Sequence, residues 1–106
     1  MSEYLLAMAT VEDRESAESL ASALVQAGCA ACVSIVPGVT SVYRWQGKIE
    51  QETEQTLLIK TSQAAWDTLA EHIRREHPYE LPELIAVPIQ AGSTEYLAWV
   101  AENLNP

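Results

Sequence analysis

AACVSIVPGVTSVYRWQGKIEQETEQTLLIKT, residues 30–61, is the stretch that decides the fold. Ala30 to Tyr43 is rich in Val, Ile, Thr and Ser and reads as a strand, with a break at Pro37-Gly38 that predicts a bulge or bend. Trp45-Gln46-Gly47-Lys48 is a turn, with Gly47 free to take a positive φ. Ile49 to Thr61 is a second strand, so the whole stretch is a β-hairpin. At about 3.3 Å per residue each arm reaches roughly 40 Å, about twice the usual strand length. Leu57, Leu58 and Ile59 stand consecutively near its base, the pattern of a strand buried on both faces. The outer part carries Val42, Tyr43, Trp45 and Ile49, which would be a sticky apolar edge if left alone.

On the N-terminal side, Tyr4 to Ala9 is a short apolar run that predicts a buried strand. Thr10 is a candidate cap for the helix that follows, with Glu12, Asp13 and Glu15 in its first turn, where negative charge suits the dipole. Ala17, Leu20, Ala21, Leu24 and Ala27 recur at helical spacing, and Gly28 is the stop. On the C-terminal side, Ser62 is a candidate cap for a second helix whose buried face is Ala65, Trp66, Leu69 and Ile73, ending before Pro78. His77-Pro78-Tyr79-Glu80-Leu81-Pro82-Glu83 is a rigid irregular loop. Leu84 to Ile89 is a last strand, which Pro88 places at an edge or a strand end. Ser93 or Thr94 caps a last helix with the apolar stripe Tyr96, Leu97, Val100 and Leu104. The order β-α-β-β-α-β plus a C-terminal helix is that of an α+β, ferredoxin-like split-βαβ sandwich with an extended β-hairpin. Such a sandwich uses only short strands, so the hairpin's excess is expected to pair with neighbouring copies in a ring or small symmetric oligomer.

The 106 residues suit one domain, 1–106, and are 48% hydrophobic and 20% charged, ordinary for a folded soluble chain. Fifteen acidic side chains stand against 6 basic ones, a formal net charge of -9. Phosphate backbones and anionic membranes repel such a chain, so neither nucleic acid nor membrane is an expected partner, while divalent cations are. The start, Met1 to Met8, has no basic n-region and argues against a signal peptide. The run without charge between Glu18 and Arg44 is broken by Ser, Gln, Gly and Pro and does not read as a spanning helix. Two cysteines are too few for a disulfide scaffold, which points to the cytoplasm.

Cys29 and Cys32 form a C-x-x-C, but it follows a helix instead of opening one, and it runs into a strand. Small buried thiols are favoured over a redox or metal pair. His77, Tyr79, Glu80 and Glu83 cluster in the rigid loop. An imidazole and two carboxylates suit a divalent cation, and the alternative is a proline-fixed turn with solvated charges. His72 lies on the second helix and reads as structural. Glu50, Glu52 and Glu54 alternate along one face of the second arm, the pattern of a solvated, aggregation-resistant row. With no G-x-S-x-G, P-loop or G-x-G-x-x-G, no nucleophile set or standard phosphate loop is present, and an enzyme is not expected.

Ala30-Ala31-Cys32-Val33-Ser34-Ile35-Val36-Pro37-Gly38, followed by Ser41-Val42-Tyr43-Arg44-Trp45-Gln46-Gly47-Lys48-Ile49-Glu50, resembles the hairpin signature of the CutA family, the divalent-cation tolerance proteins. His77 to Glu83 resembles that family's second signature, and Gly92-Ser93-Thr94-Glu95-Tyr96-Leu97-Ala98-Trp99 its third. The resemblance covers essentially the whole chain. It implies a ferredoxin-like fold, a homotrimer built through the long hairpins, a cytoplasmic bacterial protein, and tolerance to divalent metals, copper above all and zinc second. Cys32, His77 and Glu83 match the family's cysteine, histidine and glutamate and are the implied metal ligands. Some members have a further thiol at the end of the first strand. Here Ala7-Met8-Ala9-Thr10 stands there, and Glu76 stands before His77 where a second histidine occurs, so a copper site relying on that thiol does not exist in this chain. The family's trimer is similar to that of the PII signalling proteins. That likeness implies a second reading, a small-molecule sensor with a cleft between subunits lined by Tyr43, Trp45, Lys60 and Tyr79.

Overall fold

The computed structural model describes residues 3–105, so Met1 and Ser2, which open the segment read against a signal peptide, lie outside the described residues. Four strands form one antiparallel sheet in the order β2-β3-β1-β4, from β1 (Tyr4–Val11), β2 (Cys32–Trp45), β3 (Lys48–Ser62) and β4 (Ile85–Pro88). Three helices, α1 (Arg14–Gln26), α2 (Trp66–Glu76) and α3 (Thr94–Glu102), complete the chain. This is the α+β arrangement that the element order predicted, with the short β4 at a sheet edge, where Pro88 removes no ladder donor that the sheet needs.

Strand alternation builds the core. Along β1, Leu5, Ala7, Ala9 and Val11 are buried and the residues between them are not. Leu57 and Ile59 on β3 face the same way and pack with Leu20 and Leu24 of α1 and Leu69 and Ile73 of α2. Burying each of these aliphatic side chains contributes about 1.5–3 kcal/mol. On the opposite face the register sets Leu6 beside Val87 and Met8 beside both Leu58 and Ile85. Ile85 and Val87 there remain about half exposed, so the β4 side of this second face is apolar and open in the single chain, while Leu6, Met8 and Leu58 are partly buried.

Several caps fall elsewhere than expected, for local reasons. The β-branched Thr10 and Val11 continue β1, paired with Thr56 and Gln55. Asp13 therefore caps α1, its carboxylate accepting from Ser16 N at 2.9 Å, and only Glu15 of the expected acidic residues sits in the first turn. That bond holds the Asp13 carboxyl below its usual pKa. Ser62 ends β3. Its hydroxyl accepts from Ala65 N at 3.2 Å in the turn before α2, which starts at Trp66. α1 stops at Gly28, which takes φ 75°. The Gly28 N–H donates to Val25 O and the Cys29 N–H to Leu24 O, which closes the helix end as a Schellman motif. Ser93 caps α3, as expected. Of the stripe expected on α3, Val100 is fully buried, whereas Tyr96 is 43% exposed and stacks on Trp99 at 5.7 Å.

The hairpin has the expected form. Pro37 and Gly38 stand opposite the single Gln55, a two-against-one bulge between the pairs Val36–Thr56 and Val39–Glu54. Gln46 (φ 50°) and Gly47 (φ 82°) form a two-residue turn between the paired Trp45 and Lys48. β1 pairs with β3 only as far as Gln55. The seven residues 48–54 of β3 and their partners on β2 therefore extend past the core, for about 23 Å. They give the molecule a long axis of 44 Å against 25 and 22 Å.

Candidate functional site

The loop after α2 closes against the place where β1 ends and the hairpin leaves the core. α2 terminates as His77 turns extended (φ -74°, ψ 135°), with the His77 N–H still donating to Ile73 O. The buried His77 ring then ties three segments together. The Tyr79 N–H donates to Nδ1 at 3.0 Å, so Nδ1 is an acceptor. Nε2 therefore carries the proton and donates to the Thr10 carbonyl at 2.6 Å. The Tyr79 ring lies 4.7 Å from the imidazole, tilted by 59°. Its hydroxyl donates to Glu54 Oε2 on β3 at 2.7 Å. One chain of contacts thus joins β1, the rigid loop and the first residue of the hairpin's overhang.

Around this chain opens a cleft of about 660 Å³ between the overhang and the loop. Ser41, Tyr43, Arg44 and Trp45 line it from β2, Glu54 from β3, and Tyr79, Glu80, Leu81 and Glu83 from the loop. Glu54 is 6% exposed, so the row Glu50, Glu52, Glu54 is not the uniformly solvated face that its alternation suggested. Its inner member is buried beneath Tyr79, because the loop folds over the hairpin where β1 stops. Carboxylates outnumber the one basic side chain, Arg44, that lines the cleft. Loss of water and then the carboxylates of Glu52, Glu54, Glu50 and Glu12 raise the Tyr43 phenol above its ordinary pKa. Burial, followed by the bond to Glu54, pushes the Tyr79 phenol well above the usual phenol range.

Of the residues expected in a ligand cleft, Tyr43, Trp45 and Tyr79 come together here. Lys60 does not join them within the chain. It pairs with Cys32 at the hairpin base, ten positions along β3 from Glu50, and its Nζ donates to Ser34 Oγ at 2.8 Å. Of the expected metal ligands, Glu83 lines the cleft with its side chain exposed, while His77 has both ring nitrogens engaged by backbone groups. Cys32 is a half-buried free thiol at the start of β2, at the sheet's other end. Its partner in the C-x-x-C, Cys29, is fully buried, donates to Leu24 O and has its pKa raised by that burial. Among the described residues no three His, Cys, Asp or Glu side chains gather as a metal-holding group. His72 stays on α2, its Nδ1 3.3 Å from Arg75 Nη2. The contribution that sequence reasoning missed is Glu54. Its one signal is position: it stands next to the Pro37-Gly38 bulge, where the core ends.

Residues 5–103 match the family described as CutA1 divalent ion tolerance protein. The chain is 49% identical over 94 residues to the divalent-cation tolerance protein CutA of Thermus thermophilus, covering 89% of this chain and 91% of that protein. It is 48% identical over 91 residues to the chloroplastic protein CutA of Arabidopsis thaliana, covering 86% of this chain and 50% of that one. The chain thus spans about half the length of its plant relative. Among solved structures, CutA1 from Oryza sativa superposes with a TM-score of 0.95 at 38% identity, covering 98% of this chain and 95% of that one. The periplasmic divalent cation tolerance protein CutA from Archaeoglobus fulgidus gives 0.92 at 32% identity, covering 96% and 99%.

Proposed function

This chain belongs to the CutA1 divalent ion tolerance family, and from that premise we propose that it serves divalent-cation tolerance as a non-enzymatic homotrimer. Cations, copper first and zinc second, are drawn to the acidic region at the root of the hairpin. The observation that carries this reading is the gathering of the Glu12, Glu50, Glu52 and Glu54 carboxylates about Tyr43, with Glu80 and Glu83 on the facing loop. An excess of carboxylates over basic groups raises the local cation concentration. The geometry favours weak, charge-driven association over a tight cage, since a cage needs convergent ligands. Cys32, His77 and Glu83 remain the candidate ligands. Glu83 presents open donor atoms, the Cys32 thiol lies against the Tyr96 hydroxyl, and His77 ligates only by giving up Tyr79 N–H or Thr10 O. The trimer reading is supported by the exposed Val42 and Ile49 of the overhang and by the half-exposed Ile85 and Val87 of the second sheet face, which a second and third copy would bury. The free thiols of Cys29 and Cys32 suit a reducing compartment such as the cytoplasm.

Calorimetric titration of copper and zinc into the metal-free protein tests this. Both metals bind the wild type and Glu83→Ala weakens binding; His77→Ala lowers stability, and binding by it equal to the wild type removes His77 from the ligands. Absence of any metal binding to the wild type would overturn the reading. The cleft that brings Tyr43, Trp45 and Tyr79 together favours a second reading, a PII-like sensor of a small molecule. A thermal-shift screen of metabolites and nucleotides against the metal-free protein tests it, and a screen without a hit counts against it.

A further inference from the structure

The cleft carries a chemistry that cation tolerance does not use. Tyr43, Trp45 and Tyr79 supply aromatic walls. Ring faces do not ligate a hard metal, but they attract a cation wrapped in an apolar shell. Glu54 stands among them 6% exposed, holding one hydrogen bond from Tyr79 and, among the described residues, no ion pair. A carboxylate accepts about four hydrogen bonds, so Glu54 can take further donors from the cleft that it lines. Aromatic walls around a buried carboxylate complement a charged group that brings both N–H donors and methylenes. The volume, about 660 Å³, falls in the range of sites that enclose a small molecule.

From this geometry we infer that the cleft binds an aliphatic amine of the polyamine class. One ammonium donates to Glu54, the methylenes lie against Trp45 and Tyr43, and a second ammonium meets the loop carboxylates Glu80 and Glu83. A bare divalent ion satisfies the carboxylates but not the rings; Arg44, the basic side chain that lines the cleft, is outnumbered by Glu54, Glu80 and Glu83, and a neutral or anionic ligand leaves Glu54 without a counter-charge. This inference rests on the reading of the cleft as a small-molecule site.

The test is calorimetric titration of spermidine into the full-length protein, with calcium chloride as the arm that supplies charge without an alkyl shell. Two variants accompany it: Glu54→Gln, which keeps an acceptor for Tyr79, and Trp45→Leu, which lies on the overhang outside the core. Thermal unfolding of each variant checks that it folds. Spermidine is expected to bind saturably at one equivalent per chain, with each variant binding at least about tenfold more weakly. Calcium binding is expected to be indifferent to Trp45→Leu. Spermidine affinity preserved within about twofold in Trp45→Leu would mean diffuse charge attraction and would overturn the inference, as would no binding to the wild type. If spermidine fails but a neutral or anionic metabolite stabilises the wild type and not Trp45→Leu, the amine class falls and the sensor reading survives. If every ligand fails, both fall.

Discussion

Tyr79 shows how one side chain sets both a local pKa and the shape of a site. Its hydroxyl donates to the buried Glu54 carboxylate, and burial first, then that bond, raises its pKa above the ordinary 10.0. The folded protein therefore keeps this proton where the unfolded chain releases it, so above about pH 10 the native state binds more protons than the unfolded state, and stability falls as pH rises. Urea unfolding from pH 8 to pH 11 is expected to show this decline in the wild type and a shallower one in Tyr79→Phe. At neutral pH the same substitution is expected to cost about 1–3 kcal/mol, since it strips a buried carboxylate of its bond. Equal pH slopes for the two proteins would contradict the assignment. Gly28 is a second residue whose identity is fixed by geometry. It sits at φ 75°, and a Cβ there would stand 3.0 Å from Asn105 Cβ and from Asn105 O, whose backbone N–H donates to Gly28 O. Gly28→Ala is expected to lose more than about 1 kcal/mol on thermal or urea unfolding, and a neutral result would show that the tail yields. The glycine stop was legible in the sequence because a helix end has a local signature. The work of His77 was not. A histidine flanked by proline and carboxylates reads as a ligand until its Nε2–H is seen donating to the Thr10 carbonyl, 67 residues away.

At the scale of elements, periodicity carried most of the fold. The two arms, the bulge and the place of the hairpin turn were readable because alternation, Pro37-Gly38 and Gly47 each act on their own neighbourhood, although the turn read over residues 45–48 is confined to Gln46 and Gly47 by the pairing of Trp45 with Lys48. Where β1 stops was less readable. Thr10 is as good a cap as a strand residue, and pairing with Thr56 decides the matter from elsewhere in the chain. That boundary matters because it fixes where the overhang begins, and with it where Glu54 is buried. The overhang is expected to be separable from the core. Replacing residues 41–52 by an Asn-Gly turn between the paired Thr40 and Thr53 leaves β1's partners on β3 intact. The shortened chain is expected to keep its far-ultraviolet circular dichroism and to unfold cooperatively, but as a smaller assembly than the wild type. Retention of the full assembly would move the principal interface to the open sheet face of Leu6, Met8, Ile85 and Val87.

For the whole molecule, a 44 Å long axis beside 25 and 22 Å is an extended outline for one core of this size. Val42 and Ile49, each more than 60% exposed, project from the overhang, while the second sheet face offers matching apolar surface. Three copies would also gather three times the net charge of -9, about -27, which strengthens attraction for cations and repulsion of nucleic acid together. Assembly would join the length of the hairpin, the half-exposed Ile85 and Val87 and the acidic root into one object. The most direct test is the mass of the protein in solution by light scattering across a dilution series. A homotrimer gives a constant mass of about 35 kDa, three times 11.7 kDa, and a constant 11.7 kDa would rule the trimer out.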